Sequence, residues 1–294
     1  MLRVAVYGYG NIGRFTLEAL LASPDFSVAG VVSRSLPAGS LGDIPVVRSI
    51  EELAGVDVAV LCSPSRAVPD LAADLLSKGI CTVDSFDIHS EVWAVRQRLD
   101  TVAKAHQTSC IMSAGWDPGT DSMVRALLEA MAPEGLTYTN FGPGMSMGHT
   151  VAVKAIEGVK NALSMTIPVG TGIHRRMVYV ELEQGADFDA VSSAVKNDPY
   201  FIHDETHVMA VPSVDALKDM GHGVDLTRKG VSGRTQNQRM SFQMSINNPA
   251  LTGQILVAAA RAVKKQAPGC YTLIEIPPIH LLSGETEELI RRLV

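Results

Sequence analysis

The chain has 294 residues, more than one ordinary core holds and enough for two domains. Apolar residues make up 46 % and charged residues 19 %, the mix of a soluble globular protein rather than a disordered or fibrous one. Against 31 acidic residues there are 25 basic ones, a net charge of −6 with no Lys/Arg-rich run, so no footprint for nucleic acid or anionic lipid is present, and no apolar run approaches the ~20 residues that span a bilayer.

The first residues run directly into a strand, so a signal peptide is not expected. Cys62, Cys81, Cys110 and Cys270 are scattered, with no C-x-x-C and no disulfide framework. They read as reduced, buried thiols of a cytoplasmic protein. Up to residue 112, strand-like and helix-like runs alternate. Strands are predicted at Leu2–Tyr7, Ser27–Ser33, Val56–Cys62, Ile80–Val83 and Ser109–Met112, with helices at Asn11–Ala22, Ala67–Leu76 and Glu91–His106. Such alternation predicts an α/β fold with a doubly wound, Rossmann-type parallel sheet. Right-handed crossovers place the carboxyl ends of all its strands on one edge, where ligands bind.

The residues at that edge follow in order. Between the first strand and first helix stands Gly8-Tyr9-Gly10-Asn11-Ile12-Gly13, a G-x-G-x-x-G in the context that makes this pattern informative. Gly8 serves the tight turn, Gly10 leaves room for a pyrophosphate, and Gly13 lets helix and strand pack closely; the helix amides then face the phosphates. An ordinary glycine turn is the alternative. The second strand ends at Ser33-Arg34-Ser35, where NAD sites usually carry an acid for the ribose 2′-hydroxyl. An Arg between two hydroxyls suits a 2′-phosphate instead, so NADP is favoured, against the alternative of an Arg on a solvated loop. The third strand ends at Cys62-Ser63-Pro64-Ser65, a small-residue loop suited to the nicotinamide ribose. The fourth ends at Asp84-Ser85-Phe86-Asp87, where Asp84, Ser85 and Phe86 are expected to line the cofactor, and the fifth at Ala114-Gly115-Trp116-Asp117, so two acid-bearing loops converge at the nicotinamide end. Carboxylates there can hold a substrate ammonium or help deprotonate it, although helix capping and turn formation also use Asp.

From Trp116 the pattern changes. A helix at Thr120–Met131 is followed by strand-like runs at Leu136–Phe141, Ala162–Val169, Met177–Glu183, Val208–Pro212, Gly223–Lys229 and Arg239–Ile246, with a helix at Ala186–Val195. Many strands and few helices predict an α+β substrate-binding and dimerisation domain with an open mixed sheet. A helix at Ala250–Lys265, a strand at Tyr271–Ile276 and a helix at Thr286–Leu293 would rejoin the first domain. The expected division is therefore 1–117 with 249–294 for the dinucleotide, and 118–248 for the substrate. Phe141 to His149 reads as a glycine-rich turn before a helix at Thr150–Ala155, with amides able to receive a carboxylate, a plain structural turn being the alternative. One Arg of His174-Arg175-Arg176 could clamp another carboxylate, against the alternative of paired surface basics, and Gly221-His222-Gly223 leaves a His between two glycines, free to reach a ligand though a lone His proves little. No grouping has metal-ligand spacing, and there is no G-x-S-x-G.

Together these residues resemble the meso-diaminopimelate dehydrogenase family. The resemblance rests on V-x-G-Y-G-N-I-G-R at Val6–Arg14, D-S-F-D-I-H at Asp84–His89, S-A-G-W-D-P-G-T-D-S at Ser113–Ser122, Y-T-N-F-G-P-G-M-S-M-G-H at Tyr138–His149 and I-N-N-P at Ile246–Pro249, and it runs nearly the whole chain. It implies an NADP-dependent homodimer of lysine and cell-wall precursor metabolism. Such an enzyme oxidatively deaminates the D-centre of meso-2,6-diaminopimelate to L-2-amino-6-oxopimelate. By position, Asp87, Asp117 and Trp116 would border the reacting centre. Phe141, Met147 and the Met147–Gly148 backbone would shape that end and receive its carboxylate. Thr166, Arg176, His222 and Asn248 would bind the distal L-centre. One departure stands out: some family members carry a second Arg where this chain has Ser35. The alternatives are another NADP-dependent oxidoreductase of this architecture, such as a dihydrodipicolinate reductase or an aspartate-semialdehyde-type enzyme, which needs an activated Cys, and a non-catalytic nucleotide sensor, which needs no paired acids.

Overall fold

Val4, Ala5 and Val6 have no solvent-accessible surface. A strand hidden on both faces belongs in the middle of a parallel sheet with helices on either side. The protein, described by a computed structural model over residues 1–217 and 221–294, builds this sheet in the first of two compact units. The first unit comprises Met1–Met123 and Pro249–Val294, the second Val124–Asn248. In chain order the elements are β1 (Leu2–Tyr7), α1 (Asn11–Leu21), β2 (Phe26–Val32), β3 (Gly39–Leu41), β4 (Ile44–Val47), β5 (Val58–Leu61), α2 (Val68–Ser77), β6 (Cys81–Asp84), α3 (Val92–Ala105), β7 (Ser109–Ile111) and α4 (Thr120–Met131). There follow β8 (Glu134–Phe141), β9 (Gly144–Met145), α5 (Met147–Lys154), β10 (Val159–Gly170), β11 (Ile173–Leu182), α6 (Phe188–Asn197), β12 (Glu205–Ala210), β13 (Gly221–Ser232) and β14 (Gln236–Asn247). Then come α7 (Asn248–Val263), β15 (Gly269–Tyr271) and α8 (Thr286–Leu293).

The first unit is a Rossmann-type α/β fold. Its sheet runs β15-β7-β6-β5-β1-β2-β4-β3, parallel throughout except for β3, which turns back on β4. Alternate residues of β1 divide the core. Val4 and Val6 pack with Leu17 and Leu20 of α1 and with Leu256 to Val263 of α7. Ala5 joins the opposite layer, with Leu75 and Leu76 of α2 and Leu99 of α3. The order reverses at β1, where β5 lies on one side and β2 on the other, which opens a ligand crevice at the strand ends.

The second unit holds two sheets in place of the single open sheet expected. One runs β12-β11-β10-β9 and the other β14-β13-β8. Among the described residues, only β11 and β12 pair in parallel within them. The division falls at Gly142-Pro143, where the chain leaves β8 and enters β9 of the other sheet. Helices α5 and α6 cover the four-stranded sheet through Val153, Val178, Val180, Val191, Val195 and Phe201. The carboxyl end of α4 is held by a buried Arg228, which donates to the carbonyls of Ala132 and Pro133 and to Thr137 Oγ1. A cation there satisfies the carbonyls just past the helix end and complements its dipole.

Three elements differ from expectation. The hairpin β3–β4 was not anticipated, because strands of three and four residues carry too little periodicity. The strand expected to reach Ile276 stops at Tyr271: Thr272 and Glu275 form a reciprocal capping box that turns the chain into a short 3₁₀ helix. Helix α5 begins at Met147 rather than Thr150, because Ser146 is its N-cap, with Thr150 bonded back to the Ser146 carbonyl. Among the described residues, no helix is long and apolar enough to cross a membrane.

The glycine loop separates a packing role from an open one. A Cβ on Gly13 would fall on the carbonyl oxygen of Gly8, and one on Gly8 would lie 2.6 Å from the Cys62 oxygen. A Cβ on Gly10 would meet nothing within 4 Å. Gly13→Ala should therefore lower stability by about 1–3 kcal/mol or more in urea titrations, through overpacking against backbone. Gly10→Ala should unfold at nearly the wild-type midpoint and show its loss in dinucleotide binding alone.

Candidate functional site

The first unit presents its candidate residues at the carboxyl ends of β1, β2, β5, β6 and β7. Gly10 caps α1 without any side-chain hydrogen bond, and the first turn, with Asn11, Ile12 and Gly13, carries no acid. Its amides, the open flank of Gly10 and the neighbouring Tyr9 form a cradle that fits a pyrophosphate. After β2, Ser33 Oγ receives the Leu36 amide at 3.2 Å and lies 3.2 Å from Ser35 Oγ, which shapes a tight loop. Arg34 is exposed on it, and among the described residues no carboxylate pairs with its side chain. No acid stands where a free ribose 2′-hydroxyl would need one. After β5, the Cys62 sulfur packs 3.5 Å from Thr16 Oγ1. Burial pushes its thiol up to about 12. A thiol raised in this way is unlike the activated, lowered thiol that an aspartate-semialdehyde-type mechanism needs.

The loops of Asp87 and Asp117 are organised by Asp84. This residue closes β6 with no exposed surface. Its Oδ1 accepts the amides of Phe86 at 2.9 Å and Ser113 at 3.1 Å, and its backbone carbonyl accepts the Ala114 amide at 2.7 Å. Among the described residues, no donor reaches Oδ2. Burial raises its carboxyl to about 6 in spite of the two amides. Asp84 and the wholly buried Phe86 thus act on the loops from within; Ser85 between them is half-buried. Ser65, in the loop with Ser63 and Pro64, donates to Asp87 Oδ1 at 2.6 Å and accepts the Asp87 amide at 3.3 Å. Burial raises the Asp87 carboxyl, and the nearby negative charge of Asp117 adds to that rise, while Ser65 and His89 oppose it. Asp117 has a side chain 13 % exposed, with Oδ2 3.7 Å from His89 Nε2, and Trp116 beside it is buried. Asp87 and Asp117 are therefore brought together in a water-poor setting, a carboxylate pair able to hold an ammonium and accept its proton.

The second unit assembles the other candidates around the Phe141–Met147 turn. Gly142 and Gly144 are required by contact: a Cβ on Gly142 would fall on the Thr166 carbonyl oxygen, and one on Gly144 on the Gly221 carbonyl oxygen. The Gly142 amide donates to the Gly223 carbonyl at 2.8 Å. The turn thereby lies against Thr166 on β10 and His222 on β13. Thr166 stands opposite Arg176 in the β10–β11 ladder and accepts from Arg176 Nη1. Arg176 Nε donates to Asp204 Oδ2 at 2.6 Å, so a largely buried guanidinium is held from two sides. The Phe141 amide donates to His174 Nε2 at 2.7 Å, and the two rings lie 5.4 Å apart. His222 is buried, its Nδ1 2.8 Å from the Gly223 amide. Met147 and Gly148 lie in the first turn of α5, so their amides are helix-terminal rather than part of a loop. Asn248 is buried at the start of α7. Sequence reasoning missed Asp204, Ser65 as the Asp87 partner, and His174 as the acceptor for Phe141. Each is a contact across a long stretch of chain that no local pattern announces.

Residues 2–83 match the oxidoreductase family with an NAD-binding Rossmann fold, and residues 115–175 match the diaminopimelic acid dehydrogenase C-terminal domain. A meso-diaminopimelate D-dehydrogenase of Bacteroides fragilis is 64 % identical over 297 residues, covering 100 % of this chain and 99 % of that protein. The chain belongs to the meso-diaminopimelate D-dehydrogenase family. A solved structure of the Corynebacterium glutamicum DAP dehydrogenase in complex with DAP superposes with a TM-score of 0.91 at 28 % identity, over 100 % of this chain and 99 % of that one. An engineered D-amino acid dehydrogenase bound to NADP+ superposes with a TM-score of 0.89 at 26 % identity, over 100 % and 99 %. This protein is accordingly an oxidoreductase that uses a nicotinamide dinucleotide. Family membership sets aside the reading as a non-catalytic sensor. Among the described residues, no cluster of metal-ligating side chains is present.

The buried Asp84 sets a pH dependence. Its folded value near 6 lies above the ordinary aspartate value of 3.8, so between these values the folded state binds more protons than the unfolded state. Stability from this group therefore falls as pH rises from about 4 to above 6. From pH 8 to pH 5 wild type should gain about 1 kcal/mol relative to Asp84→Asn, measured as the difference of urea unfolding free energies at the two pH values.

Proposed function

We propose that this protein catalyses the NADP-dependent oxidative deamination of the D-configured centre of meso-2,6-diaminopimelate, giving L-2-amino-6-oxopimelate and ammonia, and the reverse reductive amination. It would act in the cytoplasm, in lysine and cell-wall precursor metabolism. The observation that carries this reading is the Asp87–Asp117 pair, partly desolvated on adjacent strand-end loops of a dinucleotide-binding sheet. When bound, the cofactor supplies the hydride acceptor at its nicotinamide ring. The residues of the chain bind, orient and move protons. Asp87 and Asp117 hold the ammonium of the D-centre. The burial that raises Asp87 makes it a better base than a solvated carboxylate, so it is suited to take a proton before the carbon gives up its hydride. Trp116, buried beside Asp117, shields the hydride step from bulk water; one water then adds to the resulting imine carbon, ammonia departs and the oxo group is left.

Selection of one centre follows from the rest of the substrate. The amides of Met147 and Gly148 suit the carboxylate of the D-centre. Arg176, with Thr166, His222 and Asn248, would receive the L-centre and its carboxylate. Asp204 fixes the Arg176 guanidinium before the substrate arrives, so little order has to be gained on binding. A polar clamp that is satisfied by only one end of the molecule fixes which end reacts. NADP over NAD is supported by Arg34 and by the missing acid. A homodimer is supported by apolar residues of the second unit that remain exposed in one chain, among them Leu136 at 64 % and Ile173 at 62 %.

Mixing the protein with NADP+ and meso-2,6-diaminopimelate and following absorbance of the reduced nicotinamide tests the activity directly; no increase would overturn it. Light scattering at micromolar concentration should give twice the chain mass. Arg176→Ala should lower kcat/KM for diaminopimelate about ten- to hundredfold, the value of a charge-assisted contact, and leave the weak turnover of D-alanine almost unchanged, because D-alanine has no distal carboxylate. Asp117→Ala should depress both, since it acts on the amine common to both substrates. The opposite contrast would reverse the assigned orientation.

A further inference from the structure

Ser35 leaves the loop after β2 with one guanidinium, Arg34, yet a 2′-phosphate carries about two negative charges at neutral pH. The neighbouring strand supplies another. Strands β2 and β4 pair in parallel, with Val31 opposite Val46 and Val32 opposite Val47. The residues just past their ends therefore emerge side by side at the same carboxyl edge, where the Ser33 amide donates to the Val47 carbonyl at 3.0 Å. The residue just past β4 is Arg48. Its Nη1 donates to the Ser33 carbonyl at 2.7 Å and to the Arg34 carbonyl at 2.8 Å. Carbonyls orient a guanidinium without neutralising it, and only one of its nitrogens is used. Glu52, the nearest acid in sequence with a fixed contact, spends its Oε1 on the backbone amides of Arg48 and Ser49 at 2.9 and 2.8 Å. Among the described residues, no carboxylate pairs with the Arg48 guanidinium.

We propose that Arg48 is the second cation of the 2′-phosphate site, a specificity-determining residue for NADP that stands in for the arginine replaced by Ser35. The assignment rests on the reading that NADP is the preferred cofactor. Arg48 has two effects at once: it ties down the Ser33–Arg34 backbone and presents a fixed positive charge beside it. A flexible second arginine on the loop itself would have to be ordered on binding, whereas this one is already held.

The test is calorimetric titration of NADP+, NAD+, 2′-AMP and 5′-AMP into wild type, Arg34→Ala, Arg48→Ala and Arg48→Gln, with melting temperatures as a check on folding. Gln at position 48 keeps a side-chain N–H donor but carries no charge, so comparing it with Ala separates hydrogen bonding from charge recognition. Arg48→Gln should weaken NADP+ and 2′-AMP about tenfold, the lower end for an exposed charge-assisted contact, and leave NAD+ and 5′-AMP within about twofold. Equal losses for phosphorylated and unphosphorylated ligands, or no loss, would overturn the assignment and leave Arg48 a loop tether or a bystander. If Arg34→Ala lowers the NADP+/NAD+ ratio while both Arg48 variants keep it, the inference fails and the cofactor reading stands. If wild type binds NAD+ as tightly as NADP+, the cofactor reading has failed and this inference with it.

Discussion

The two acid-bearing loops depend on one buried carboxylate. Asp84 spends a single oxygen on two amides, Phe86 in its own loop and Ser113 in the next, and its backbone carbonyl takes a third, Ala114. Two strand ends are thereby joined to one point. Desolvating a carboxylate is costly, and the raised value near 6 expresses that cost. The reward is positional: with both loops referred to Asp84, Asp87 and Asp117 approach closely enough that the charge of one raises the other. Ser65 then restrains Asp87 from the β5 side. Hydrogen bonds behind the pair, and not the acids themselves, keep the two loops near each other.

In the second unit the equivalent constraint is steric. The Phe141–Met145 segment can pass from one sheet to the other only because Gly142 and Gly144 let it lie directly on the backbones of β10 and β13. That contact is what sets Thr166 and His222 about a common turn, although 56 residues separate them in sequence. Arg176 reaches this group through the β10–β11 register and is locked by Asp204. A guanidinium held from two sides before a ligand arrives loses little entropy on binding, which is the condition for a selective carboxylate clamp.

Much of the fold was legible in the sequence because it is written in local patterns. The apolar run of β1, the glycine loop and the alternation through residue 112 specify a parallel sheet with helices on both faces, and carboxyl-edge placement follows from crossover handedness alone. That is why Gly10, Arg34, Asp87 and Asp117 could be singled out without coordinates. The long W-D-P-G and F-G-P-G-M-S-M-G-H runs, read as a resemblance, pointed to the family that the 64 % identical relative then established.

Tertiary structure alone decided what depends on distant partners. The hairpin β3–β4 is too short to show a period, yet it places Arg48 beside Arg34. The single mixed sheet became two because the Gly142-Pro143 crossing is a matter of backbone contact. Asp204, His174 and Ser65 carry no local signature, since their roles come from where β11, β8 and β6 bring their partners. Sequence determined which residue types reach the ligand edge, because strand direction and periodicity are local properties. Structure determined which charges are buried, paired or left open there, because burial and pairing belong to the packed chain.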